Sequence, residues 1–196
     1  ALQLVGTACA DVIARTGKEF CGGVFGEVVA ESLPQDARFF AVADYGVADG
    51  LVLQIGQQGA YLTTVADNKL TVAGTDGTVK GEYGYGSAFL REYDLGGDGY
   101  TVLLLNRYQS GSVGRLQTVG PDGTVIAELD VNQEVMDLSA AGRYLAVLYA
   151  DSLVIYNQDL QVYASLQGTD FATGVLVREN GSALLLSAEN ASVFLP

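Results

Sequence analysis

Five glycines recur along the chain at nearly one interval: Gly17, Gly59, Gly99, Gly142 and Gly181, spaced 42, 40, 43 and 39 residues apart. Four residues before each stands an aliphatic side chain, namely Ile13, Ile55, Leu95, Leu138 and Val177. A fixed period that carries an apolar column implies one supersecondary unit repeated, each copy burying on its neighbours a face it cannot bury alone. The unit is clearest over residues 134–166. Four short runs rich in β-branched, aromatic or leucine side chains fill it, at 134–138, 143–149, 152–156 and 160–166. Turn chemistry separates them at Ala141-Gly142, Ala150-Asp151 and Gln158-Asp159.

Four antiparallel strands in about 33 residues make one propeller blade, and the other units vary on it. The second reads as strands at 51–55, 61–65, 69–73 and 78–83, and the third at 89–95, 100–106, 114–119 and 124–130. Gly120-Pro121-Asp122-Gly123 closes the third unit's last turn, proline presetting φ and glycine taking the positive φ. The first unit is the most diverged, with strands expected at 11–15, 19–25, 28–31 and 38–45. The fifth offers only three, at 173–177, 182–188 and 191–196. Leu2–Val5, followed by Gly6-Thr7 as the run 160–166 is followed by Gly168-Thr169, is the expected fourth. Such a 3+1 closure hides two sheet edges. The expectation is therefore an all-β, five-bladed propeller in a single domain, 1–196. Its blades fall at 9–46, 50–84, 88–130, 134–167, and 171–196 plus 1–6. The competing architecture is a slice of a six- to eight-bladed ring. Continuous apolar runs at 102–105, 144–149 and 183–187 suit strands buried on both faces.

Charge limits the partners. Ten Lys and Arg against 23 Asp and Glu give a net charge of −13, which repels phosphate backbones and excludes nucleic acid as the expected partner. No apolar run approaches the ~18 residues of a spanning helix. Ala1 is not a start methionine, which leaves room for an anchor or more repeats upstream. Cys9 and Cys21 read as free, half-buried thiols, because the hairpin register between them makes a bridge awkward.

The chain has no histidine, so serine–histidine and cysteine–histidine catalysis has no base and the commonest zinc ligand is missing. No cofactor or metal is expected. The glycines of GEYGYG at 81–86 do not open a helix, as a nucleotide loop would. Carboxylates remain: Asp11, Glu92, Asp94, Glu134 and Asp137 fall on first strands, which line a propeller's channel. Asp94 and Asp137, each five residues before a marker glycine, form the candidate catalytic pair of a two-carboxylate hydrolase. Turn aspartates such as Asp122 and Asp159 are explained by turn chemistry without calcium. The candidate binding face joins second-to-third and fourth-to-first strand connections. It offers Asp67 and Asn68 in a turn, and Tyr85 and Tyr108 as aromatic tips of glycine–serine loops.

These units resemble the blades of bacterial WD40-like and quinoprotein-like propellers, and of membrane-anchored bacterial propeller families of unknown function. With neither His nor Trp in the chain, the Gly-His and Trp-Asp marks of the former and the tryptophan docking motifs of the latter are absent. The resemblance implies a fold and transfers no site; the expected location is extracytoplasmic and bacterial. The expected function is a non-enzymatic binding module for a protein or glycan. The alternative is a small glycan-active hydrolase using channel carboxylates.

Overall fold

A computed structural model describes residues 50–196 apart from 75 and 76. The expected strands at 2–5 and 11–45, the closure and both cysteines lie outside the described residues. Fifteen strands build four antiparallel sheets among the described residues. Blade I holds β1 (Val52–Gln58), β2 (Tyr61–Ala66), β3 (Lys69–Gly74) and β4 (Val79–Gly84). Blade II holds β5 (Phe89–Asp94), β6 (Thr101–Asn106), β7 (Gly114–Val119) and β8 (Val125–Val131). Blade III holds β9 (Val135–Ala141), β10 (Tyr144–Tyr149), β11 (Ser152–Asn157) and β12 (Val162–Gln167). Blade IV holds β13 (Ala172–Val177), β14 (Ala183–Ser187) and β15 (Ala191–Phe194), three strands as the sequence predicts. In every sheet the strands pair in chain order.

The blades stack face to face. Val65, Leu70 and Val72 of blade I meet Leu103, Leu105 and Val119 of blade II. On its other face blade II sets Val102, Leu104 and Leu116 against Leu138, Leu145 and Val147 of blade III. Blade III then sets Ala146, Leu148 and Ile155 against Val175, Val177 and Leu185 of blade IV. This is why β6 and β10 are buried along their whole length, whereas the outermost strands β4, β8 and β12 alternate between exposed and half-buried, apart from the buried Val131 that ends β8. Of the apolar column, Ile55 on β1 is half-buried, while three members, Leu95, Leu138 and Val177, pack into the seam with the preceding blade. Leu95 does so from the loop after β5 rather than from a strand.

Marker glycines 59, 99, 142 and 181 all have positive φ, which is the conformational reason for the period. Gly81 has a different one. A Cβ there would collide with the carbonyl oxygen of Asp122, because the 120–124 turn of blade II presses on the outer strand of blade I. Gly81→Ala is expected to cost about 1–3 kcal/mol, the usual penalty of overpacking. Gly84→Ala, three residues on, meets nothing within 4 Å and is expected to cost under about 0.5 kcal/mol. Equal losses in urea titrations of the two variants would contradict this packing.

Candidate functional site

First strands of successive blades lie side by side, and their carboxylates cross the seams. Asp94 Oδ2 accepts the Ala140 N–H of β9 at 3.0 Å, while its Oδ1 accepts Gly96 N–H at 2.6 Å. Asp137 Oδ2 accepts the Val175 N–H of β13 at 2.7 Å, and its Oδ1 accepts Leu138 N–H at 2.9 Å. Ser139 Oγ adds a contact from Val177 N–H at 3.2 Å. Both residues of the expected catalytic pair therefore hold the next blade's backbone. They occupy successive seams rather than one site. Their even placement five residues before a glycine reflects that structural task.

The carboxylates that do meet are Glu92 and Asp137. Glu92 is half-buried on β5, and its pKa is pushed up from 4.5 to about 7. Burial is the main cause, then the charge of Asp137 and a hydrogen bond with its carboxyl; Arg91 and the Leu138 N–H pull weakly the other way. Asp137 is already committed to two backbone donors, so the proton belongs on Glu92, whose O–H donates to Asp137. Carboxyl groups in direct hydrogen-bond contact leave no room for a sugar, since glycosidase pairs stand about 5–9.5 Å apart. Elsewhere on the first strands, Tyr93 packs into the seam of blades I and II, while Leu53 and Met136 stay exposed.

Hydrogen bonds clasp the turns of the connection face to one another. Leu51 N–H donates to Asp67 Oδ1 at 2.8 Å and Asp67 N–H returns to Leu51 O at 3.0 Å. Tyr85 N–H donates to Asn68 O, and the Gly168 and Thr169 N–H groups donate to Asp151 O. Each clasp ties a fourth-to-first connection to a second-to-third turn. Asp67 and Asn68 thus serve as clasp residues. Tyr85 corrects the sequence reading: it is no exposed tip but is only 5% accessible, packed among Val65, Leu70 and Leu103. Its hydroxyl is buried without a partner among the described residues, and burial, then the charge of Asp67, push its pKa up so that it stays protonated. A glycine-rich neighbourhood suggested exposure; in fact the small residues let the ring turn inward. Tyr108, by contrast, is 64% accessible.

Tyr108 belongs to the feature that sets this face apart. The second-to-third connection needs two residues in blade I (67–68) and in blade III (150–151), but takes seven, 107–113, in blade II. Asn106 Nδ2 donates to Gly111 O at 2.8 Å and Arg107 N–H to Val113 O at 3.2 Å, so the loop is tied to its blade. It stands between two cavities. One, of about 410 Å³, lies at the seam of blades I and II and is lined by Tyr83, Tyr85, Arg107, Val113 and Arg115 among others. The second, of about 290 Å³, is lined by Arg91, Asn106, Ser112 and Glu134. Turn aspartates elsewhere serve their own backbone. Asp122 accepts from Thr124 Oγ1 and N–H, which hold its pKa down. Among the described residues no three Asp, Glu, His or Cys side chains are grouped to hold a metal.

Stacked four-stranded blades of this kind define a β-propeller. Solved structures that the chain resembles include two in particular. One is BamB from Moraxella catarrhalis, 17% identical with a TM-score of 0.51, where 71% of this chain covers 42% of that one. The other is BBS1N, solved in complex with ARL6DN, 11% identical with a TM-score of 0.51 over 72% of this chain and 49% of that one. The chain thus spans under half of each. Its sequence matches no family model and no curated protein.

Because the folded state keeps a proton on Glu92 that the unfolded chain releases near pH 4.5, this group's stabilisation is complete below pH 4.5. It declines as pH rises towards 7 and is lost beyond it. Relative to Glu92→Gln, the natural chain should lose stability across that window in urea titrations. Parallel pH profiles for the two proteins would contradict the pairing.

Proposed function

We propose that this propeller is a non-enzymatic protein-interaction module that binds through the face carrying the 107–113 loop. The observation that carries the reading is the loop itself. Five residues beyond what the blade requires project an exposed tyrosine from a glycine–serine frame, and insertions in repeat folds gather on binding faces. Tyrosine in such a frame offers large contact area at small entropic cost. The solved complex of BBS1N with ARL6DN supports a protein partner over a glycan. An extracytoplasmic bacterial location belongs to the same reading, supported by the likeness to a bacterial propeller.

The hydrolase alternative draws on Glu92, whose raised pKa is the kind a general acid needs. Against it, Asp94 and Asp137 are occupied by backbone N–H groups, and Glu92 touches Asp137 directly.

A photocrosslinking residue at Tyr108 should form adducts with a partner protein in the native cell. One at Arg178, in a first-to-second turn on the opposite face, should not. Replacing 107–113 by Asn-Gly should abolish recovery of that partner while moving the melting temperature by less than about 4 °C. Equal labelling from both positions, or recovery that survives loop excision, would overturn the reading. So would hydrolysis of arabinan, xylan, fructan or aryl-glycosides that vanishes in both Asp94→Asn and Asp137→Asn.

A further inference from the structure

The described residues include seven Lys and Arg, and their pairing is uneven. Lys69 holds Glu82 at 2.9 Å. Arg115 holds Glu128 at 3.2 Å and Asp130 at 3.3 Å. Arg143 lies over the Tyr144 ring and donates to its hydroxyl. Arg107 stands in the seam cavity of blades I and II, and its guanidinium has no hydrogen bond or ion pair among the described residues. The side chains of Lys80, Arg91 and Arg178 likewise have no hydrogen bond or ion pair among the described residues, but they lie outside this cavity, which a carboxylate, Asp130, also lines. Arg115 has taken that carboxylate.

We infer that this cavity receives a carboxylate-bearing side chain from a peptide segment of the partner protein, with the Arg107 guanidinium as its counter-charge. The inference rests on the protein-binding reading above and adds the chemistry of what enters. A volume of about 410 Å³ falls within the range of small-ligand pockets, enough for a side chain and its flanking backbone. Tyr83 and Val113 add apolar surface to a lining that also holds Ser87, Asp130 and Asn132, and a charge-assisted arginine–carboxylate pair is among the stronger hydrogen-bonded contacts. The Tyr83 hydroxyl is not a competing donor, since it is spent on Gln117 Oε1 at 2.8 Å across the seam. Gln117 Nε2 in turn donates to Glu128 at 3.2 Å. Arg107 is thus the open cation of the cavity.

The surrounding charge narrows the ligand further. A net charge of −13 and the paired Glu128 and Asp130 close by disfavour a dianion such as a phosphate monoester. A single carboxylate suits one unpaired guanidinium. A basic side chain would face Arg107 and be repelled.

The test uses the full 196-residue chain and three blocked tripeptides, acetyl-Tyr-Xaa-Val-amide with Xaa as Glu, Gln or Lys. Binding is followed by NMR at the Arg107 Nε–H and the Val113 and Gly114 backbone N–H groups. The glutamyl peptide should shift these signals with an affinity at least about tenfold above the glutaminyl peptide, and the lysyl peptide should bind most weakly. Arg107→Ala should erase the preference for Glu, its spectrum elsewhere showing an intact fold. Arg143→Ala, on the opposite face, should leave the preference unchanged. Equal affinity for Glu and Gln, a preference for Lys, shifts confined to other parts of the chain, or no shift at all would each overturn the inference. A partner crosslinked at Tyr108 and still bound by Arg107→Ala would sink the carboxylate inference alone. Loss of loop dependence would sink the binding reading instead.

Discussion

The architecture depends on side-chain carboxylates that accept backbone N–H groups across the blade seams. A blade's first strand has only one sheet neighbour, so its other edge carries backbone donors with nowhere to go inside its own sheet. Asp94 and Asp137 satisfy one such donor each, Ala140 N–H and Val175 N–H, on the next blade. Apolar packing brings the blades together, but it is non-directional. Charge-assisted hydrogen bonds of 2.7–3.0 Å fix the register between neighbours, and their strength comes from a pairing that a slipped blade would lose. The same logic recurs with neutral groups. Gln58 Nε2 lies 2.7–3.0 Å from the carbonyl oxygens of Leu95, Gly97 and Tyr100, and the Tyr100 hydroxyl donates to Tyr144 O at 3.0 Å.

The fold was largely legible because its determinants are periodic. Turn glycines with positive φ recur with the unit, and double-sided burial leaves unbroken apolar runs such as Leu103–Leu105. Strand limits drifted where a hairpin tightened: β1 runs on to Gln58 and β9 to Ala141, because a two-residue turn suffices there. The site was harder to read. Asp94 and Asp137 look like acids facing a channel until the next blade's backbone is in place, and that contact spans 46 residues in one case and 38 in the other. Glu92 stands two positions before Asp94 on β5, past the register shift between Leu90 and Glu92, and meets Asp137 across the seam. No local pattern announces that shift. Tyr85 shows the limit of composition: Gly84, Gly86 and Ser87 signal a loop, yet not which way its one large side chain turns.

Scaffold and binding face divide the work. Carboxylates on the first strands go into holding blades together, and the clasps at Asp67, Asn68 and Asp151 hold the connections down. Among the described residues the 107–113 loop is the longest second-to-third connection, and it places Tyr108 in solvent and Arg107 in a cavity. A rigid frame with one departure from its own repeat is an economical way to position a recognition surface.

The central claim, that the first-strand aspartates bind neighbouring blades, is tested most directly by native-state hydrogen exchange at two amides. Ala140 and Val175 N–H should exchange as slowly as ladder amides in the sheet interiors. Asp94→Ala should release Ala140 alone, and Asp137→Ala should release Val175 alone, in otherwise folded protein. Fast exchange of both amides in the natural chain, or protection unchanged in the variants, would contradict the account.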